Sequence, residues 1–307
     1  MDLSIVTTLY YSAPFIEQFY ARASAAAQQI TSNYELIFVD DGSPDNSLEI
    51  ALSIYDRDPR VRVIELSRNF GHHRAIMTGL ENSRGALVFL IDADLEEAPE
   101  LLTRFYSEMQ AADADVAYGV QQTRRGRFFE RITGDIFYKA FNALSSVKIP
   151  ANAVTARLMK REYVRALVQH KDREICLAAL YTITGFRQTA LVIQKGFKGK
   201  TTYNLARRAT ALVDAITSFS IRPLVFVFYV GLGVVTISGV AGLLLILRVL
   251  VYGPFLAGWA SLMVSIWFLG GLIVFCTGIV GIYLSRVFSE TKDRPYTIIR
   301  RLHERGG

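Results

Sequence analysis

The stretch Ala86-Leu87-Val88-Phe89-Leu90-Ile91-Asp92-Ala93-Asp94 runs six apolar residues straight into two carboxylates set one position apart. The apolar part has the length and composition of a strand. Two carboxylates at a strand end can hold a divalent metal, and a metal there can bridge a diphosphate and neutralise it as it leaves. A second reading is open. Asp94, Glu96 and Glu97 also suit the first turn of a helix, where negative charge meets the helix dipole. The two readings are compatible.

The same arrangement recurs upstream. Glu35-Leu36-Ile37-Phe38-Val39 reads as a strand that ends in Asp40-Asp41-Gly42-Ser43. An acidic residue there can accept hydrogen bonds from a base or ribose, and Gly42 permits a tight turn; the plain alternative is an Asp-Gly turn. Around these two strands the signals alternate. Strands are expected at Ser4–Thr8, Val61–Leu66 and Val116–Val120, and helices at Pro14–Thr31, Ser47–Asp56, Ala75–Asn82 and Pro99–Gln110. Such alternation predicts an α/β domain with a mostly parallel sheet and helices on both faces. Ligands of such sheets bind beyond the carboxyl ends of the strands, where both acidic clusters fall. Ser67-Arg68-Asn69-Phe70-Gly71-His72-His73 follows the third strand. Its Arg68, His72 and His73 are expected to line that site, with the adjacent histidines diverging too far to share a metal.

Near residue 222 the composition changes. Pro223–Leu247 is 25 residues without a charge and Trp259–Leu284 is 26 more. At about 1.5 Å per residue each is long enough for a bilayer core of ~30 Å. The two runs are expected to form a transmembrane hairpin around a short turn at Arg248–Pro254. Arg207, Arg208 and Arg222 precede it, and Arg286, Lys292, Arg294, Arg300, Arg301 and Arg305 follow it. The positive-inside rule then puts both flanks, and both termini, in the cytoplasm at the inner membrane. Two segments, Phe128–Leu144 and Leu205–Phe219, read as amphipathic, and the second runs into the hairpin as an interfacial helix. The expected organisation is a cytoplasmic domain at 1–203, a juxtamembrane helix at 204–222, a hairpin at 223–284 (spans 223–247 and 259–284) and a basic tail at 285–307.

Bulk properties narrow the class. Of 307 residues, 51% are hydrophobic and 20% charged, which excludes a disordered chain. The net charge of +6 fits an anionic lipid surface or anionic substrates. No nucleic-acid-binding motif is present. The two cysteines, Cys176 and Cys276, do not suggest a disulfide framework. The opening Met1-Asp2-Leu3-Ser4-Ile5-Val6 reads as a strand, not a signal peptide. No G-x-G-x-x-G follows it, which argues against a nicotinamide dehydrogenase. Two uncharged spans offer no polar path for a transporter.

Taken together, these stretches resemble the family 2 glycosyltransferases. Within that family they resemble the polyprenyl-phosphate glycosyltransferases that carry a C-terminal membrane hairpin. The resemblance rests on Phe38-Val39-Asp40-Asp41-Gly42-Ser43, Ile64-Glu65-Leu66-Ser67-Arg68-Asn69-Phe70-Gly71 and Ile91-Asp92-Ala93-Asp94-Leu95 with Pro99-Glu100. It continues through Tyr118-Gly119-Val120, Arg157-Leu158-Met159, Gly185-Phe186-Arg187-Gln188 and Ile216-Thr217-Ser218-Phe219-Ser220 with Pro223-Leu224. It implies a GT-A (Rossmann-like) fold and inverting transfer of a hexose from a nucleotide-sugar, UDP favoured, to a polyprenyl phosphate in the bilayer, for cell-envelope glycan synthesis or modification. It implies Mg²⁺ or Mn²⁺ on Asp92 and Asp94, and donor contacts from Thr8, Tyr10, Asp40, Asp41, Arg68, Asp92 and Ala93. The catalytic set it implies is Asp92, Asp94 and Arg157, with Arg157 on the acceptor phosphate.

Three departures stand out. The family's Pro-Val-Tyr-Asn-Glu after the first strand is here Thr8-Leu9-Tyr10-Tyr11-Ser12. The aspartate often proposed as the family's base is replaced by Thr155. The family's Arg and Lys near Gly199 fall here on Gly196 and Thr202, and Lys195, Lys198 and Lys200 are expected to restore the lost charge at the acceptor phosphate. A phosphate acceptor is already largely ionised near pH 7, since its second pKa is about 6, so a base is dispensable. Transfer to a glycan hydroxyl and a catalytically silent membrane scaffold stay open as alternatives. The glycines of the spans permit close packing within or between chains, which leaves a homo-oligomer open.

Overall fold

Strand β2 (Tyr34–Asp40) is buried along its whole length, and β3 (Val61–Leu66) likewise. Such strands lie in the middle of a sheet covered on both faces. The structure, a computed structural model, describes residues 1–121, 150, 152–172, 176–193, 222–252, 258–292 and 294–305. These fall into two compact units. The first holds the described residues up to 193 together with 294–305, and the second holds 222–252 and 258–292.

The first unit is built on an eight-stranded mixed sheet in the order β7-β5-β6-β4-β1-β2-β3-β8. Strand β1 (Leu3–Leu9) pairs in parallel with β2 on one side and with β4 (Leu87–Leu90) on the other, and β2 pairs in parallel with β3. Strand β6 (Ala153–Lys160) runs antiparallel to both β4 and β5 (Val116–Gln121), and β5 pairs in parallel with β7 (Gln188–Ile193). The chain therefore builds β1, β2 and β3 in one direction, then crosses back to lay β4 on the far side of β1. That reversal is a topological switch point, with a crevice at the carboxyl ends of β1 and β4.

Helices cover the sheet for the usual reason. In α1 (Ile16–Gln28) the buried Ile16, Phe19, Ala23, Ala26 and Ala27 recur at helical spacing. In α4 (Leu101–Ala111) the same stripe is Leu101, Leu102, Phe105 and Met109. Beside α1 lies α2 (Ser47–Arg57). The crossing helix α3 (His72–Glu81) starts three residues before its sequence-predicted start at Ala75, so His72 and His73 are helical. A Cβ at Gly79 would stand 2.5 Å from Val6 Cγ1 and 2.9 Å from Val39 Cγ2. Glycine thus lets α3 lie directly on β1 and β2. Short helices α5 (Arg161–Leu167) and α6 (Leu177–Ile183) follow β6.

The amino ends of the strands are closed by a buried polar network. Glu35 accepts the Ser4 hydroxyl at 2.6 Å, the Arg84 amide at 2.7 Å and Arg62 Nη1 at 2.9 Å. Arg62 also reaches Glu304 at 2.9 Å.

Glu304 belongs to the stretch expected as a basic tail. It follows β8 (Ile299–His303), which pairs antiparallel with β3. Tyr296 Oη donates to Glu81 at 2.7 Å, and Thr297 shares a hydrogen bond with Thr78 at 2.8 Å. The chain thus returns from the second unit to complete the first. Polar pairing holds this strand in place, which is why hydropathy does not reveal it.

The second unit contains two long helices, α7 (Arg222–Tyr252) and α8 (Trp259–Thr291). The expected spans lie inside them. Helix α8 outruns its span because Ser285–Thr291 continues the helix beyond the apolar run. Among the described residues one stretch, Ser265–Thr291, is long and apolar enough to cross a membrane, with a shorter apolar stretch at Leu224–Val234. The two-span reading therefore has one such stretch behind it. Trp267, Ile273 and Val274 are each 65% exposed or more, a large apolar surface that water does not favour. The amphipathic segments 128–144 and 205–219 lie outside the described residues.

Candidate active site

The carboxyl ends of β1, β2 and β4 are neighbours in the sheet, so Thr8, Tyr10, Asp40, Asp41, Asp92, Ala93 and Asp94 fall on one rim. Register carries Arg157 there too, since it sits opposite Leu90 in the antiparallel pair of β4 with β6.

Each acidic position has its own environment. Asp40 is buried and its carboxylate accepts the Ser43 amide at 3.3 Å. Burial pushes its pKa up to about 6. Asp41 is equally buried, and its two oxygens accept the backbone amides of Phe70 at 2.7 Å and Gly71 at 2.9 Å. Burial raises its pKa as well, against the pull of those two amides. Gly42 has φ +63°, and a Cβ there would stand 2.7 Å from the Arg68 carbonyl carbon and the Asn69 nitrogen. The Asp-Gly turn is thus pressed against the 67–71 loop, which only glycine permits.

Tyr10 is exposed, and its ring meets that of Tyr11 edge-on at 4.9 Å. Tyr11 takes a left-handed backbone, φ 55°, and its amide donates to Ser43 Oγ at 2.8 Å. The ends of β1 and β2 are therefore tied together. Arg68 is exposed and lies over the Phe70 ring at 4.1 Å. Thr8 Oγ1 lies 3.1 Å from His72 Nδ1, and His72 Nε2 lies 3.4 Å from Asp92 Oδ1.

Asp92 and Asp94 are half-buried on either side of the buried Ala93. Asp94 accepts the Glu96 amide at 3.1 Å, and the next residue, Leu95, has φ 60°. This tight turn ends at Glu97, which is fully buried and accepts the Ala156 amide at 2.8 Å. Glu97 thereby fixes the aspartate pair against β6.

Arg157 is 4% exposed. It donates to the carbonyls of Thr155 at 3.2 Å and Val154 at 3.1 Å, and its guanidinium lies 3.2 Å from the centre of the Tyr181 ring. Tyr181 is held in turn. Its carbonyl accepts the Tyr163 hydroxyl at 3.0 Å and the Gln188 side chain at 2.7 Å. A cavity of about 330 Å³ opens here, lined by His72, His73, Tyr118, Thr155, Arg157 and Tyr181 among others. No carboxylate lines it among the described residues.

Sequence reasoning finds the strand-end acids, Arg68, the histidine pair and Arg157, and the fold brings them together. It misses Tyr118, Tyr181 and Gln188, which come from elements without a chemical motif. The resemblance stretches that contain Tyr118 and Gln188 were the available signal. Lys195, Lys198 and Lys200 lie outside the described residues.

Comparison with known proteins gives a consistent set of relatives. The family model described as glycosyl transferase family 2 matches residues 4–168. A Mycobacterium tuberculosis protein that bears the name of a glycosyltransferase is 52% identical over 303 residues, spanning 99% of this chain and 89% of its own. The bactoprenol glucosyl transferase of Shigella phage SfII is 33% identical over 314 residues, spanning 99% of both chains. The prophage bactoprenol glucosyl transferase homolog of Escherichia coli K12 is 31% identical over 305 residues, spanning 98% of this chain and 99% of its own. Among solved structures, mannosyl-3-phosphoglycerate synthase from Rubrobacter xylanophilus superimposes with a TM-score of 0.50 at 16% identity, over 71% of this chain and 73% of its own, a likeness of fold alone.

Proposed function

We propose, from the premise that this chain belongs to glycosyl transferase family 2, that it transfers a hexose from a nucleotide-sugar to a polyprenyl phosphate at a membrane surface. The observation that carries this reading is the cavity: a buried arginine faces it, no described carboxylate lines it, and an aspartate pair stands at the adjacent switch point. Relatives named for glucosyl transfer to bactoprenol, matched over nearly their full length, support the acceptor class. They also favour glucose among the hexoses.

The residues divide the work. Asp40 and Tyr10 flank the place for the nucleoside. Asp92 and Asp94 would hold Mg²⁺ or Mn²⁺, and the donor set fits. The described residues contain no group of three or more His, Cys, Asp or Glu that could hold a metal. Two carboxylates one residue apart suit a hard cation that completes its shell with water and phosphate oxygens. When bound, the cation would neutralise the leaving diphosphate.

Arg157 binds the acceptor phosphate. Its guanidinium is held by two carbonyls and an aromatic face, so little ordering remains to be done on binding. One phosphate oxygen attacks the anomeric carbon from the face opposite the diphosphate. The carbon–oxygen bond to the diphosphate breaks, its electrons leave with that group, and the configuration inverts. No proton needs removing, because a phosphate monoester is mostly ionised at neutral pH. An alcohol acceptor would need the base that Thr155 does not supply. This favours the phosphate over a glycan hydroxyl.

Two membrane crossings by the second unit are part of the proposal. Support comes from β8. The sheet contains residues from both sides of that unit, which supports both flanks on one face of the bilayer and an even number of crossings. The arginines and lysine after Leu284 favour the cytoplasmic face.

The test is transfer itself. Detergent-purified protein, undecaprenyl phosphate, Mn²⁺ or Mg²⁺ and a panel of UDP- and GDP-sugars should give one glycosyl-phospholipid by mass spectrometry, absent with Asp94→Ala. No product from any donor, with nucleotide binding intact, would overturn the phosphate acceptor in favour of a glycan hydroxyl.

A further inference from the structure

The connection between β3 and α3 is built to put one side chain in one place. Asp41 takes the amides of Phe70 and Gly71, the Gly42 turn packs on the backbone of Arg68 and Asn69, and Gly79 lets α3 rest on β1 and β2. His72 is the first residue of that helix. Its imidazole bridges the two sides of the switch point: Nδ1 is 3.1 Å from Thr8 Oγ1 at the end of β1, and Nε2 is 3.4 Å from Asp92 Oδ1 after β4. The side chain is 47% exposed, so packing does not force it there.

Proton placement follows from the partners. A hydroxyl can donate to a ring nitrogen, whereas a carboxylate only accepts. With the Thr8 hydroxyl donating to Nδ1, the ring proton sits on Nε2 and faces Asp92. The other tautomer would set a nitrogen lone pair against a carboxylate oxygen. In the neutral ring, Thr8 thereby favours the tautomer whose Nε2–H faces Asp92. Asp92 Oδ1 faces that nitrogen across 3.4 Å.

We propose that His72 is a positioning residue that fixes the Asp92 carboxylate for a divalent cation on the donor diphosphate, with Thr8 setting its tautomer. In that tautomer His72 acts on the Asp92 carboxylate rather than on the cation. This rests on the reading of Asp92 and Asp94 as the cation site. Outer partners of this kind typically change metal affinity by about 10–100-fold when removed.

The test separates the two ring nitrogens. A glutamine amide nitrogen reaches the place of Nε2, and an asparagine amide nitrogen reaches that of Nδ1. Mn²⁺ is titrated, with free ion read by electron paramagnetic resonance, in the presence of the nucleoside diphosphate that the transfer assay identifies. His72→Ala and His72→Asn should bind Mn²⁺ about tenfold more weakly, and His72→Gln should bind close to wild type. Thr8→Val should fall between. Transfer by His72→Ala should recover at saturating Mn²⁺. Wild-type affinity in His72→Ala would overturn the proposal. So would a His72→Gln as weak as the alanine variant, or a loss of rate that saturating Mn²⁺ does not restore. Wild-type protein that retains no Mn²⁺ would instead overturn the cation site itself, and this inference with it.

Discussion

The carboxylate of Asp41 holds the backbone amide of Gly71 at 2.9 Å, across 30 positions of chain. Both of its oxygens are used in this way, the other by Phe70. The resemblance implies a nucleoside contact for Asp41, and in the fold its two oxygens also hold the 67–71 loop.

Replacing that carboxylate tests the assignment. Asp41→Asn keeps one acceptor and puts an amino group against an amide donor. Leaving a buried donor unsatisfied costs about 1–3 kcal/mol. The variant should lose that much stability in denaturant melts, and its KM for the donor should rise because the 67–71 loop is released. Unchanged stability with a raised KM would return Asp41 to direct nucleoside contact.

Asp40 gives the opposite signature. Burial lifts its pKa from 3.8 to about 6, so the folded state binds more protons than the unfolded one between those values. Stability then falls as pH rises through that window, and above it the ionised carboxylate carries a penalty of about 3 kcal/mol at most. Asp40→Asn should therefore be more stable than wild type at pH 8, with the gain shrinking towards pH 4, while donor affinity drops. Melting curves at the two pH values check the sign.

The network at the amino ends of the strands predicts unequal costs for its two ends. Arg62 and Glu35 have side chains 7% and 2% exposed. Arg62→Ala strands a buried carboxylate and should cost about 3–5 kcal/mol. Glu304 is 32% exposed and leaves Arg62 paired when removed, so Glu304→Ala should cost ~1 kcal/mol. Denaturant midpoints of the two variants would settle the order.

How much of this was legible varied with the kind of force involved. Strands β2 and β4 announce themselves because burial on both faces demands apolar runs, Leu36–Val39 and Leu87–Ile91, and the acids that follow, Asp40 and Asp92, mark the rim. Arg157 was legible through the resemblance, but its contact with Tyr181 was not, since α6 carries no motif. Strand β8 was illegible for a physical reason. Ile299-Arg300-Arg301-Leu302-His303 holds its place at a sheet edge through charge: Arg300 reaches Glu65 at 3.0 Å. Paired charges leave no hydropathy signal. The role of Asp41 was hidden because its partners lie in a different loop, which only the fold brings near.

Strand β8 also orders the protein's birth. A ribosome releases residues 299–303 after everything else in the sheet, and after both apolar helices. Strand β3 therefore waits with an open edge while the second unit is made, and its pairing closes a loop of more than two hundred residues. Contacts that distant in sequence form slowly, and unpaired edges attract wrong partners. The moment of greatest exposure to misfolding thus comes late in synthesis, when the apolar helices are already out of the ribosome.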